Sequence, residues 1–299
     1  MSAPVGLIGL GIMGQAMAAN LLAAGFEVLG HDIAAAAMAR FGGTAAASAA
    51  AVAADAEIIL TSLPSAAALD AVVAEVAAAA RPSAMSCTIL AETSTFPLAD
   101  KTRARDRLAE AGVTMLDSPL SGSGSQALVR DVLVYASGPR AAYDRCLPVF
   151  QGFSRAPHYL GEFGNGSKMK FVANLLVAIH TAAAGEAFAL ARKAGLDPAQ
   201  MFAVVADGAG GSRAMQVRGA MLVADRYTPV ETMPLELWRK DMRAIADFAD
   251  AMACPTPVFA ATVPLFEAAI AAGLGAEDTA AVRSVIEAMT CLPRGGTAD

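Results

Sequence analysis

The chain has 299 residues, a net charge of −6, 17% charged residues and 56% hydrophobic residues. That length holds one large or two ordinary domains with a sizeable core, and an acidic chain without a basic run excludes nucleic acid or an anionic membrane surface as an expected partner. Four scattered cysteines, Cys87, Cys146, Cys254 and Cys291, form no C-x-x-C pair, so they read as buried or incidental thiols rather than a disulfide framework or a zinc site.

The first half alternates short apolar runs with helical patterns. Strands are predicted at 5–10, 28–32, 57–63, 88–92, 113–117 and 132–136, with amphipathic helices at 66–80 and 98–111. The alanine-rich stretch 44–54 reads as helix too, because Ala is the best helix former. Repeated strand–helix–strand units predict an α/β fold built on a Rossmann-type, doubly wound parallel sheet. After Gly161 the pattern changes: 168–194 is one long helical stretch broken only by Gly185, and helix follows helix, punctuated by Gly195-Leu196-Asp197-Pro198, 208–211, Pro229, 255–257 and 273–275. The expected organisation is a nucleotide-binding domain over 1–164 and an all-helical substrate and oligomerisation domain over 165–299 that begins with the long helix. The N-terminus runs straight into the first strand, and no apolar stretch reaches the ~18 residues of a membrane span without charge, Gly or Pro, so a cytoplasmic protein is expected.

Gly9, Gly11 and Gly14 hold the G-x-G-x-x-G spacing after the first apolar run, and Asp32 ends the next run about 20 residues on. Each glycine has its own task on a dinucleotide: the first makes the turn, the second lets the backbone approach a pyrophosphate, and the third lets helix pack on strand. Ile12 and Met13 open the following helix, whose unpaired N–H groups and positive dipole end suit the phosphates. A carboxylate at Asp32 accepts from a ribose 2′-OH and repels a 2′-phosphate, which favours NAD and leaves NADP possible. Further along, Lys170 and Asn174 are four apart at a helix start and project from one face, whereas Lys168 points elsewhere. Taken alone, Lys170 suits a lysine snorkelling to solvent just as well.

Four segments in order resemble the β-hydroxyacid dehydrogenase family: G-L-G-I-M-G-Q-A-M-A-A-N-L from Gly9, D-S-P-L-S-G-S from Asp117, G-N-G-S-K-M-K-F-V-A-N from Gly164, and K-D-M from Lys240. The resemblance implies that Lys170 is the general acid/base and that Asn174 holds the substrate oxygen. It implies carboxylate binding by the turn Ser121-Gly122-Ser123, and Lys240 reaching the substrate and the nicotinamide side of the cofactor. Glu92-Thr93-Ser94-Thr95 is similar to a family segment beside the cofactor ribose, making Thr95 a candidate there, and Leu63-Pro64 matches a turn on the adenine-ribose side. Three positions depart from the family pattern: Ser123 stands at the usual second glycine, Arg130-Asp131 at a frequent Gly-Thr pair, and Ala173 at the first of two asparagines.

His31, His158 and His180 have no metal-ligand spacing, and Ser121 has no nucleophile elbow, so metal and hydrolase chemistry are not expected. Met169 and Met201 read as gap-filling core residues, and Trp238 as core or as part of the pocket lining. The expected activity is hydride transfer between NAD and a small 3-hydroxy acid resembling 3-hydroxyisobutyrate, or the reverse reduction, by a homodimer or homotetramer. Imine reduction on the same scaffold and nucleotide sensing without turnover are the alternatives.

Overall fold

The computed structural model describes residues 3–79, 88–229 and 232–292, and two compact units divide at Lys170/Phe171. In the first, strands alternate with helices: β1 (Val5–Ile8), α1 (Ile12–Ala23), β2 (Val28–His31), α2 (Ala35–Met38), β3 (Thr44–Ala45), α3 (Ala49–Asp55), β4 (Ile58–Thr61), α4 (Ala66–Ala79), β5 (Ile89–Glu92), α5 (Leu98–Glu110) and β6 (Thr114–Asp117). These six strands form one parallel sheet in the order β3-β2-β1-β4-β5-β6. The order reverses between β1 and β4, where an open α/β sheet leaves a ligand crevice beyond the carboxyl ends of its strands. β1 and β5 are buried at every residue, which is why they read as continuous apolar runs rather than alternating ones. One face packs Leu7, Met17, Leu21, Phe150 and Phe153; the other packs Ile8, Val52, Ile59, Val73 and Leu108.

The chain continues through β7 (Leu120–Ser121), α6 (Gly124–Leu128), β8 (Leu133–Ala136), α7 (Arg140–Phe153) and β9 (Ala156–Tyr159). Here β8 runs antiparallel to β7 and parallel to β9 in a separate three-stranded sheet. The backbones of Asp117 and Ser137 exchange hydrogen bonds of 3.0 and 2.8 Å, which ties this sheet to the edge strand β6.

The division into units falls inside α8 (Asn165–Lys193). The second unit continues with α9 (Pro198–Asp207), α10 (Arg213–Ala224), α11 (Leu235–Ala251), α12 (Pro257–Ala269) and α13 (Val282–Met289) around a core that includes Phe188, Trp238, Met242 and Phe266. Gly195, at φ +74°, turns the chain out of α8; Asp197 then caps α9 by accepting from the Ala199 and Gln200 amides, with Pro198 in the first turn. By length and composition α8 and the segment Pro257–Leu274 could each cross a membrane. Phe171, Ala178 and Phe188 of one and Phe259, Phe266 and Ala269 of the other lie in the same buried cluster, the behaviour of core helices.

Three expectations need correction. The stretch 44–54 is not one helix: Thr44–Ala45 pairs with β2, and Ser48 caps α3 by accepting from the Ala51 amide, so the helix starts only at Ala49. The strand expected at 132–136 belongs to the small sheet, not the parallel one. Met169 is exposed, whereas Met201 and Trp238 are buried as expected. Residue 80, the end of the helix expected at 66–80, and Cys87 lie outside the described residues.

Candidate active site

Gly9, Gly11 and Gly14 divide the work at the end of β1. A Cβ on Gly9, whose φ is +90°, would sit 2.1 Å from the Ser62 carbonyl oxygen, and a Cβ on Gly14 would sit 2.0 Å from that of Gly9. Those two glycines let turn, strand and helix touch. A Cβ on Gly11 would meet nothing within 4 Å. Gly11 also caps α1 without a side-chain hydrogen bond, so the amides opening the helix at Ile12 and Met13 have no side-chain cap. The open side at Gly11 beside a helix N-terminus fits a dinucleotide pyrophosphate.

Asp32 braces this turn. Its carboxylate accepts from the Leu10 amide at 2.6 Å and the Ala34 amide at 2.7 Å, so it is oriented before any ribose arrives. Leu63 is held at the same end of the sheet, its amide donating 2.8 Å to Ser94 Oγ in the turn that leads to Thr95, with Pro64 exposed beside it. The Ser121–Ser123 turn approaches from the other side: a Cβ on Gly124 would lie 2.5 Å from Ile12 Cγ2. Gly122 has φ +143°, and a Cβ there would strike Val132, so glycine is required. Ser123 is occupied locally, because its hydroxyl accepts from the Gln126 amide while the Gln126 side chain accepts from the Ser123 amide, a capping box on α6. Just downstream, Arg130 takes a left-handed φ of +61°, a conformation that suits the glycine common at this place, and Asp131 pairs with Arg155 at 2.9 Å.

The G-N-G-S-K segment docks the start of α8. Gly164 has φ +96°, and a Cβ on Gly166 would lie 2.2 Å from the Tyr135 carbonyl oxygen and 2.7 Å from that of Asp117. Ser167 gives its amide to Asp117 Oδ2 at 2.7 Å and its hydroxyl to Asp117 Oδ1 at 2.8 Å. Lys170 follows less than a turn later at 9% exposure, while Lys168 is exposed on Asn165 Oδ1. Asn174 is one turn further on α8 at 4% exposure.

In the second unit the Asn174 side-chain amide donates 3.0 Å to Asp241 Oδ2, and the other Asp241 oxygen lies 3.7 Å from Lys240 Nζ. Asp241 is buried and Lys240 half-exposed, so one α11 carboxylate orients the Asn174 amide and lies beside the Lys240 ammonium.

Sequence reasoning passed over Lys101. It is 0% exposed and forms ion pairs with Glu92 at 2.7 Å and Asp117 at 2.8 Å, with its third donor on the Ser94 carbonyl at 2.7 Å. Burial alone would lower its pKa, but the two carboxylates outweigh that and raise it. Burial pushes Glu92 upward, partly offset by Lys101. One signal was available: Lys101, Ala104 and Leu108 line the buried face of α5, so a lysine at a core position demanded a partner.

Comparison with known proteins agrees with this layout. Residues 4–161 match the NAD binding domain of 6-phosphogluconate dehydrogenase, and 164–286 match a second family, NAD-binding of NADP-dependent 3-hydroxyisobutyrate dehydrogenase. L-threonate dehydrogenase of Cupriavidus necator is 34% identical, covering 94% of this chain and 95% of its own. 2-(Hydroxymethyl)glutarate dehydrogenase of Eubacterium barkeri is 30% identical, covering 97% and 96%. The crystal structure of a 3-hydroxyisobutyrate dehydrogenase from Salmonella typhimurium superposes with a TM-score of 0.84 at 32% identity, covering 95% of this chain and 100% of that one. The chain belongs to the β-hydroxyacid dehydrogenase family and is an NAD(P)-dependent oxidoreductase of hydroxy acids.

Proposed function

We propose that the chain oxidises the hydroxyl-bearing carbon of a small 3-hydroxy acid with NAD, or runs the reverse reduction, and that Lys170 moves the proton. Bound NAD supplies the acceptor for the hydride. Gly11 and the α1 amides at Ile12 and Met13 hold its pyrophosphate; Leu63, Pro64 and Thr95 border its ribose groups. Asp32 accepts from the adenosine ribose and repels a 2′-phosphate, which favours NAD over NADP. Lys170 takes the hydroxyl proton during oxidation and returns it during reduction. Asn174 spends one N–H on Asp241 and has a second N–H and a carbonyl oxygen to hold the substrate oxygen. Ser121 and Gly122 bind the carboxylate, and Lys240 adds positive charge for the anion. Ser123 stands outside this set because its amide and hydroxyl serve the α6 cap.

The observation that carries this reading is the buried pair Lys170 and Asn174, one turn apart on α8 in a chain with an open pyrophosphate cradle. The relatives' names put L-threonate and 3-hydroxyisobutyrate first among hydroxy acids to assay, read as formation of reduced cofactor. Lys170→Ala is expected to lower kcat by about 10²–10⁴-fold with NAD affinity nearly unchanged, the usual worth of a general acid/base. Lys170→Arg rescues little, since a guanidinium stays protonated at any working pH. Lys240→Ala costs less and acts more on KM. A Lys170→Ala enzyme that keeps more than roughly a tenth of kcat removes Lys170 from the mechanism. We further place the protein in the cytoplasm as a homodimer or homotetramer, without membrane or nucleic-acid partner, in keeping with its net charge of −6 and exposed apolar helix residues.

A further inference from the structure

We propose that Lys101, which belongs to none of the motifs, is a positioning residue for Lys170 and acts through Asp117. The inference rests on the reading of Lys170 as the proton-transfer group.

The Lys101 ammonium has three donors and three partners within 2.8 Å: a Glu92 oxygen, Asp117 Oδ1 and the Ser94 carbonyl. A saturated, fully buried ammonium has no proton to offer a substrate, so its effect passes through what it holds. One such group is the Asp117 carboxylate, which also receives the Ser167 amide and hydroxyl at 2.7 and 2.8 Å and the Ser137 hydroxyl at 3.3 Å. That carboxylate acts as the external cap of α8, a negative charge on amides at the positive end of a long helix dipole. Ser137 Oγ in turn accepts from the Gly166 amide at 2.9 Å, and Gly166 is pressed against the Asp117 and Tyr135 carbonyls with no room for a Cβ. The first turn of α8 is therefore clamped at two consecutive residues, Gly166 and Ser167, and Lys170 is three residues beyond the second.

A second arm fixes the turn that carries Thr95. Glu92 accepts from the Ser94 amide at 2.8 Å, Lys101 donates to the Ser94 carbonyl, and the Ser94 hydroxyl takes the Leu63 amide. Lys101 is the one residue common to both arms. Without its charge the buried Glu92 and Asp117 carboxylates lose the counter-ion they share, and Asp117 loses the contact that fixes the oxygen taking the Ser167 hydroxyl. A buried ion cluster is a poor stabiliser compared with apolar packing, and the role its contacts give this one is to fix the Asp117 carboxylate against Ser167.

A double-mutant cycle tests this in the full chain, with kcat for hydroxy-acid oxidation, reduced-NAD affinity by fluorescence titration and melting temperature measured for Lys101→Met, Lys170→Ala and the double variant. Lys101→Met, counted per folded, cofactor-binding site, is expected to lower kcat about tenfold or more while cofactor affinity stays within about threefold. The double variant should be no slower in kcat than Lys170→Ala alone, because Lys101 reaches the proton-transfer step only through Lys170, while the Ser94 turn keeps its bonds to Glu92 and Leu63 and so holds the cofactor side. Losses that multiply in the double variant, or a Lys101→Met enzyme with kcat within about twofold of the parent, overturn the proposal. Should Lys101→Met fail to fold, Ser167→Ala takes its place in the same cycle; it leaves the ion triad intact, removes the hydroxyl arm of the clamp, and should lower kcat about three- to tenfold without adding to Lys170→Ala. Full activity in Lys170→Ala sinks the proton-transfer reading itself and this inference with it, whereas an inactive Lys170→Ala with multiplying losses sinks only the role of Lys101.

Discussion

At the scale of single residues the three glycines of the first turn are not equivalent, and substitution separates their jobs. Gly14→Ala drives a Cβ to 2.0 Å from the Gly9 carbonyl oxygen and should cost about 1–3 kcal/mol in urea unfolding, as overpacking does. Gly11→Ala meets open space, so stability should hold within about 0.5 kcal/mol while the Kd for NAD rises by about tenfold or more, some 1.4 kcal/mol. Equal loss of stability in the two variants would contradict that division. Asp32 has two tasks as well on the proposed reading, since its carboxylate holds the Leu10 and Ala34 amides and is assigned to the ribose. Asp32→Asn keeps one of the two acceptor oxygens and turns an N–H donor toward the other amide, so it should narrow the kcat/KM preference for NAD over NADP and loosen the turn in part. Asp32→Ser should narrow the preference too and loosen the turn further, weakening the two cofactors together. An unmodified enzyme that uses NADP as well as NAD would end this account. Cysteine reactivity divides on burial: desolvation pushes the Cys146 thiol up to about 12, so at pH 8 it carries almost no thiolate. Iodoacetamide on the native protein should label the exposed Cys254 and Cys291 and spare Cys146 in peptide mass spectra.

At the scale of elements, what was legible in the sequence follows how each element buries its residues. β1, β2, β4, β5 and β6 are four-residue, largely buried strands between helices, and a continuous apolar run is a strong signal. β3 and β7 are two residues long, and β9 is mostly half-exposed and holds Pro157, so none carries a run or an alternation to read. The candidate site divides the same way. Gly9, Gly14 and Gly166 announce themselves because only glycine tolerates their close approach, whereas Lys101 stays hidden because a charge inside an amphipathic pattern looks like solvated surface until its partners are known. Ser123 is the opposite case, a loop serine expected at the substrate whose amide and hydroxyl serve a capping box in the structure. Its capping box predicts that Ser123→Ala destabilises by about 1 kcal/mol and Ser123→Gly by only a few tenths, with KM for the hydroxy acid steady in both. A matching rise in KM in both variants would return Ser123 to the substrate.

At the scale of the whole molecule, a chain with 56% hydrophobic and 17% charged residues leaves a good deal of apolar surface to water. In the second unit Val172, Leu176 and Leu190 on α8, Val204 on α9 and Met289 on α13 are all exposed, Leu190 at 72%. Single exposed apolar residues are ordinary, but several along two consecutive helices are what self-association would bury. A second copy of the chain is the occupant that a homo-oligomer supplies, and closed symmetry would bury the same patch twice. Light scattering at micromolar concentration should therefore give at least twice the 30.3 kDa chain mass. Leu190→Glu sharpens the measurement: at so exposed a position the substitution should change the stability of a lone chain by less than about 0.5 kcal/mol, so a fall in mass would report a lost interface rather than a lost fold. A monomer mass for the unmodified protein refutes the assembly, and an unchanged oligomer in Leu190→Glu moves the interface away from this end of α8.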